Sequence, residues 1–116
     1  MAENMSTTTI TQKELKSIAK AIVDVSDPLR IILFGSRARG NANKNSDIDI
    51  LVIGERPNAP WSRRRLVGDM RRSLPDLDVP VDILFFTPDE MTRWQDTTNH
   101  IVREALDEGD VLYERP

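Results

Sequence analysis

Apolar residues at helical spacing define the first element of the chain. Leu15, Ile18, Ala19 and Ile22 form one apolar stripe. Residues 11–14, with the sequence TQKE, have the form of a capping box. Pro28 ends the pattern, because proline cannot continue the helical hydrogen-bond ladder. The sequence therefore predicts an amphipathic helix over about 11–27, after a disordered polar tail over 1–10.

Short apolar runs predict the strands. Residues 31–34 are continuously apolar, as in a buried strand, and 81–86 and 111–113 are two further strand segments. Residues 47–53 alternate, so Ile48, Ile50 and Val52 share one face while Asp47, Asp49, Leu51 and Ile53 share the other. Between the first two strands, we expect a short helix from Ser36 that is ended by Gly40 and the asparagine-rich 41–45.

Two further helices complete the predicted fold. The segment 61–74 has an apolar stripe with its arginines on the solvent side. A second capping box, TPDE at 87–90, begins a helical pattern that continues to about Glu108, with a break near 97–98 and Gly109 as the C-cap. This order predicts an α+β fold, a small mixed sheet covered by helices, with one domain over 11–116.

Composition and charge exclude several classes of protein. The chain of 116 residues has no cysteine, which excludes disulfides and thiolate metal sites. It has no signal-peptide pattern and no apolar run of about 20 residues, so we expect a cytoplasmic protein with no membrane association. A net charge of −3 argues against direct nucleic-acid binding. The charge is uneven, because arginines cluster over 56–72 and acidic residues gather over 89–110.

The stretch 35–52, GSRARGNANKNSDIDILV, carries the strongest chemical signal. Gly35 has no Cβ, so its backbone can approach a ligand closely. A helix that begins after Ser36 would direct free N–H groups at an anion such as phosphate, and the Ser36 hydroxyl adds a donor.

Three aspartates interrupt apolar strand segments. Asp47 and Asp49 project from the same face of one strand, about 7 Å apart. Two such carboxylates repel each other unless a cation lies between them, and Mg²⁺ prefers oxygen ligands. Asp82 interrupts the apolar run over 79–86. If its strand lies beside that of Asp47, the three carboxylates can hold two metal ions about 3.5–4 Å apart.

Each of these pieces alone has an ordinary structural interpretation, but their order and spacing are specific. GSRARG at 35–40 followed by SDIDI at 46–50 resembles the signature of the DNA polymerase beta-like nucleotidyltransferase superfamily, in the form of its small prokaryotic branch, the minimal nucleotidyltransferases. VDI at 81–83 is similar to the strand that carries the third carboxylate of that branch. The resemblance covers roughly residues 12–113.

The resemblance implies a metal-dependent transfer of a nucleoside monophosphate. It implies that Asp47, Asp49 and Asp82 are both catalytic residues and ligands of two Mg²⁺ ions, and that Asp82 helps to deprotonate the acceptor hydroxyl. Gly35 and Ser36 would bind the triphosphate of ATP or another nucleoside triphosphate. Arg37 and Arg39 are candidates to neutralise phosphate charge.

Relatives of this size are commonly paired with a helical partner of the "higher eukaryotes and prokaryotes nucleotide-binding" (HEPN) type. The resemblance thus implies an antitoxin that attaches AMP to a tyrosine of a partner toxin. Two alternatives stay open. A binding protein would neutralise its partner by contact alone, and a transferase would modify a small molecule, which the lack of a second domain disfavours. The arginine-rich helix and the acidic segment are candidate contact surfaces or ordinary solvated faces.

Overall fold

The computed structural model describes residues 11–40, 47–57, 60–77, 79–95 and 100–116. The predicted tail over 1–10, the asparagine-rich 41–45 and the helix break at 97–98 lie outside these ranges. The described chain forms five helices and four strands. In chain order they are α1 (Gln12–Ser26), β1 (Arg30–Phe34), α2 (Ser36–Arg39), β2 (Ile48–Ile53), α3 (Arg63–Ser73), β3 (Val81–Phe86), α4 (Pro88–Trp94), α5 (Ile101–Glu108) and β4 (Asp110–Glu114).

The four strands form one mixed sheet in the order β3-β2-β1-β4. Strand β1 is antiparallel to both of its neighbours, β2 and β4. Strands β2 and β3 are parallel, and the chain between them contains α3, as a parallel crossover requires. The predicted α+β fold with a mixed sheet is confirmed.

Both predicted capping boxes form. The Thr11 side chain accepts a hydrogen bond from the Glu14 N–H at 3.0 Å, and the Glu14 carboxylate accepts one from the Thr11 N–H at 3.0 Å. Thr87 and Glu90 repeat this arrangement at the start of α4, where Pro88 occupies the first helical position. Because the N-terminal N–H groups of a helix lack internal partners, these bonds fix where α1 and α4 begin.

The sheet is covered by helices on both faces. One face packs against α1 and the single buried residue of α3; its core consists of Leu15, Ile18, Ala19, Ile22, Ile31, Leu33, Ile48, Ile50, Val52, Met70, Val81, Ile83 and Phe85. The other face packs against α4 and α5; its core consists of Ile32, Phe34, Leu51, Ile53, Met91, Val102 and Ala105. The predicted alternation along β2 is therefore confirmed, and the aspartate-bearing face is the one that α4 and α5 cover.

The arginines of α3 are exposed, as the pattern predicts, but two of them also bond to the sheet. Arg63 donates from Nε to the Phe85 carbonyl at 3.0 Å and pairs with Glu90. Arg71 donates to the Val81 carbonyl at 2.8 Å. These bonds hold α3 against β3, so part of the arginine-rich face stabilises the fold. No helix among the described residues is long and apolar enough to cross a membrane.

Candidate functional site

Strand pairing brings Asp49 and Asp82 side by side. In the parallel β2–β3 ladder, Asp49 is directly opposite Asp82. Asp47 lies just before β2, two residues from Asp49, so strand alternation directs it to the same side. Asp47 and Asp82 are exposed, whereas Asp49 is half-buried. The three aspartates thus lie at one end of the sheet, where two neighbouring strands begin. We call this end the aspartate edge.

Gly35 lies against the carboxylate of Asp49. Strand β1 pairs Phe34 with Asp49, and Gly35 follows at the end of that strand. Its backbone has φ 76° and ψ −158°, a region that essentially only glycine adopts. A Cβ at Gly35 would overlap Oδ2 of Asp49. A glycine is therefore required here both by the backbone conformation and by the close approach of the carboxylate.

The predicted short helix follows Gly35. Helix α2 has four residues, from Ser36 to Arg39, and ends at Gly40, which has a left-handed conformation with φ 82°. The N–H groups of Ala38 and Arg39 both donate to the Gly35 carbonyl at 3.1 Å. This turn holds the half-buried Ser36 next to the end of β1, directly beside the aspartate edge.

Negative charge accumulates around Asp49. Burial is the main cause that raises the pKa of the Asp49 carboxyl, and the neighbouring charges of Asp82, Asp47 and Glu104 raise that pKa further. The positive charge of Arg39 acts in the opposite direction but does not offset them. Because like charges at close range disfavour ionisation, this site is electrostatically suited to a cation.

The donor set fits a divalent metal, although the side chains do not form a ready ligand shell. Aspartate oxygens are the ligands that Mg²⁺ prefers. Within the described ranges, however, no three His, Cys, Asp or Glu side chains are grouped closely enough to hold a metal ion. The backbone register thus brings the aspartates to one edge, and like charges there repel each other when no cation lies between them. The metal-binding role of Asp47, Asp49 and Asp82 stays a prediction.

The two candidate arginines of α2 point to different surroundings. Two hydrogen bonds from Thr11 are the main causes of the lowered pKa of Glu14 at the start of α1. Burial opposes this shift, and the charge of Arg37 lowers the pKa further. Arg39 instead lies beside α5, where Nη1 donates to Glu104 Oε2 at 3.1 Å and is 3.6 Å from Glu108 Oε1. Arg39 is therefore the arginine that shares its surroundings with Asp49.

Sequence reasoning did not identify Glu104 or Glu108 as neighbours of the candidate site. The sequence feature that could have identified them is their four-residue spacing, because it places both glutamates on one face of a helix. His100 is half-buried. Its Nδ1 accepts the Val102 N–H at 3.1 Å, and its ring stacks on Trp94 with centroids 4.6 Å apart. His100 is the N-cap of α5, the helix that carries both glutamates, and Trp94 is the last residue of α4.

Comparison with known protein families identifies this domain. The family model of the nucleotidyltransferase domain matches residues 12–112 of this chain. The chain therefore belongs to the nucleotidyltransferase domain family, and the resemblance seen in residues 35–52 is confirmed at this level.

Two solved structures share this fold. A candidate nucleotidyltransferase from Sulfolobus solfataricus is 22% identical, with a TM-score of 0.60, over 90% of this chain and 80% of that one. A toxin–antitoxin structure with AMP-PNP contains a chain that is 22% identical, with a TM-score of 0.59, over 91% of this chain and 75% of that one. At this identity, both likenesses concern the fold alone. No curated protein matches the chain at a significant level.

Proposed function

We propose that this member of the nucleotidyltransferase family transfers AMP from ATP to a hydroxyl group of a partner protein. The observation that carries the proposal is the register of β2 and β3, in which Asp49 lies beside Asp82. Gly35 adds a second feature, because its backbone lies against the same carboxylate without a Cβ. Hard carboxylate oxygens thus stand next to a backbone that a phosphate can approach.

Each residue has a defined role in the proposed reaction. Asp47, Asp49 and Asp82 would hold two Mg²⁺ ions, which supply positive charge to the triphosphate and lower the pKa of the acceptor hydroxyl. Gly35 and Ser36 bind the triphosphate, with the Ser36 hydroxyl donating to a phosphate oxygen.

The bonds change at the α-phosphorus of ATP. The acceptor oxygen forms a bond to this phosphorus, and the bond from the phosphorus to the bridging oxygen breaks. Pyrophosphate leaves with that oxygen, and Asp82 takes the hydroxyl proton. The exposure of Asp82 is consistent with this role, because the acceptor arrives from solvent.

The proposed acceptor is a tyrosine of a helical HEPN-type partner, and the chain then acts as the antitoxin of that pair. The support comes from the resemblance of residues 35–50 to the minimal nucleotidyltransferases. The fold likeness to a chain from a toxin–antitoxin structure with AMP-PNP supports it as well. Neutralisation of the partner by contact alone is the competing function.

The test is transfer of α-labelled ATP into protein. The purified chain and Mg²⁺ are added to a lysate of the source cells, and labelled bands are resolved on a gel. The double variant Asp47→Asn/Asp49→Asn removes two of the proposed ligands. Asp24→Asn is the matched control, since Asp24 is an exposed carboxylate of α1 that pairs with Lys20 at 3.2 Å.

A discrete band that Asp24→Asn retains and the double variant loses would establish the enzyme and identify its acceptor. If no band appears while a partner still co-purifies with the chain, the transferase proposal is wrong and contact-only neutralisation takes its place. A band of equal intensity with the double variant would remove these aspartates from the reaction.

A further inference from the structure

The guanidinium group of Arg39 is anchored on one side. Its Nη1 atom donates to Glu104 and lies near Glu108, at 3.1 and 3.6 Å. Its Nε and Nη2 atoms make no hydrogen bond to any residue that the structure describes. In arginine, Nε and Nη2 form a planar fork that matches two oxygens of a phosphate group. Among the described residues, the ion pairs therefore leave open the edge of Arg39 that is suited to phosphate.

This ion pair lies at the candidate site and joins its two sides. Both Arg39 and Glu104 contribute to the electrostatic surroundings of Asp49, with opposite signs. Arg39 is the last residue of α2, the turn that follows Gly35. Glu104 is 65 residues further along the chain, on α5, which packs its buried residues Val102 and Ala105 against the sheet. The contact thus joins α2 to α5, the helix that covers the aspartate-bearing face of the sheet.

The stability gained from this contact is small, because it is exposed to solvent. The side chains of Arg39 and Glu104 keep 38% and 39% of their surface exposed. Ion pairs of this exposure add little to folding, since water screens them and two long side chains lose rotamer freedom. The contact instead restricts the conformations of the Arg39 side chain. Binding of a ligand to a restricted side chain costs less ordering entropy than binding to a free one.

We propose that Glu104 is a positioning residue for nucleotide binding. It holds Nη1 of Arg39, so that the Nε–Nη2 fork receives a phosphate of the nucleoside triphosphate. This inference rests on the proposed function, because it needs a triphosphate at the site. A glutamate that merely competed with phosphate for Arg39 would have the opposite effect on affinity, so the two roles are separable.

The test measures binding of AMP-PNP with Mg²⁺ by titration calorimetry, which needs no acceptor. Glu104→Gln keeps the size of the side chain and removes its charge, and we expect three- to tenfold weaker binding. Glu104→Asp should recover part of the loss. Asp107→Asn is the control on the same helix, because Asp107 pairs with Arg103 at 2.9 Å, and it should stay within twofold of the wild type.

A double-mutant cycle separates action through Arg39 from a direct effect of charge on the metal site. In an Arg39→Met background, which itself weakens binding, Glu104→Gln should cause no further loss. An undiminished loss in that background, or binding by Glu104→Gln as tight as that of the wild type, would overturn the inference. A wild-type chain that binds no AMP-PNP with Mg²⁺ would instead overturn the proposed function, and the inference with it.

Discussion

Removing the charge of Asp49 should stabilise the metal-free protein. Asp49 lies directly opposite Asp82 in the β2–β3 ladder, and like charges at opposed positions of a sheet are destabilising. Cross-strand pairs contribute about 0.2–1 kcal/mol, so Asp49→Asn should raise the free energy of unfolding by about 0.5–1 kcal/mol at neutral pH. For a domain of this size, this corresponds to an increase in Tm of roughly 2–4 °C.

The pH dependence has a definite sign. Burial, followed by the neighbouring carboxylates, raises the pKa of Asp49 in the folded state. The folded protein therefore binds this proton more tightly than the unfolded chain does. The resulting stabilisation is complete below the unfolded pKa and is lost as the pH rises through the folded pKa. The free energy of unfolding of the wild type is thus furthest below that of Asp49→Asn at neutral pH. This difference should narrow as the pH falls toward 4.

The assay is thermal unfolding followed by circular dichroism, in EDTA, at pH 7 and at pH 4. The control Asp24→Asn removes an exposed carboxylate of α1, the helix that packs on the other face of the sheet, and should stay within about 0.5 kcal/mol of the wild type. Addition of Mg²⁺ and AMP-PNP should raise the Tm of the wild type and leave that of Asp49→Asn nearly unchanged, because a ligand stabilises only the state that binds it. A lower Tm for Asp49→Asn in EDTA at pH 7, or a gap that does not change with pH, would refute the electrostatic reasoning.

Two further predictions compare matched substitutions by urea unfolding. Gly35→Ala should cost about 2–3 kcal/mol and also reduce AMP-PNP binding, because it forces alanine into a conformation reserved for glycine and displaces the carboxylate beside it. Gly40→Ala should cost only about 1 kcal/mol, because φ is positive there but a Cβ meets no atom of the described residues within 4 Å; equal costs would contradict the close approach at Gly35. Arg63→Met should cost about 1–2 kcal/mol by removing the hydrogen bond to β3 and the ion pair to α4. Exposed Arg64→Met should be nearly neutral, and if it is equally damaging, the tie between α3 and the sheet is not the cause.

Local patterns predicted the elements and their faces. The TQKE and TPDE segments predicted where α1 and α4 begin, because a capping box is a local property of four residues. Alternation along 47–53 predicted that Asp49 shares a face with Leu51 and Ile53, and both are buried on that face. The order of these and the other predicted elements indicated the fold class.

The register that pairs Asp49 with Asp82 could not be predicted from these local patterns. Alternation restricts a side chain to one face but leaves open how far two strands slide past each other, in steps of two residues. The crossover between the two strands contains α3, which Arg71 and Arg63 tie to both ends of β3. The aspartate pair depends on how β3 packs beside β2, which neither strand encodes by itself.

The charge balance of the candidate site is likewise a tertiary property. Helical spacing divides the acidic segment of α5 into two sets, since Glu104 and Glu108 share one face while Asp107 pairs with Arg103. Which set faces the aspartates depends on burial of Val102 and Ala105, which fixes the rotation of α5 on the sheet. Glu104 thereby comes to hold the arginine of a turn 65 residues away. The turn proposed to bind phosphate, α2, lies in the first half of the chain, and the carboxylate that bonds to its arginine comes from the second half. The local motif thus indicates the proposed chemistry, while the packing of a distant helix determines the surroundings of Arg39.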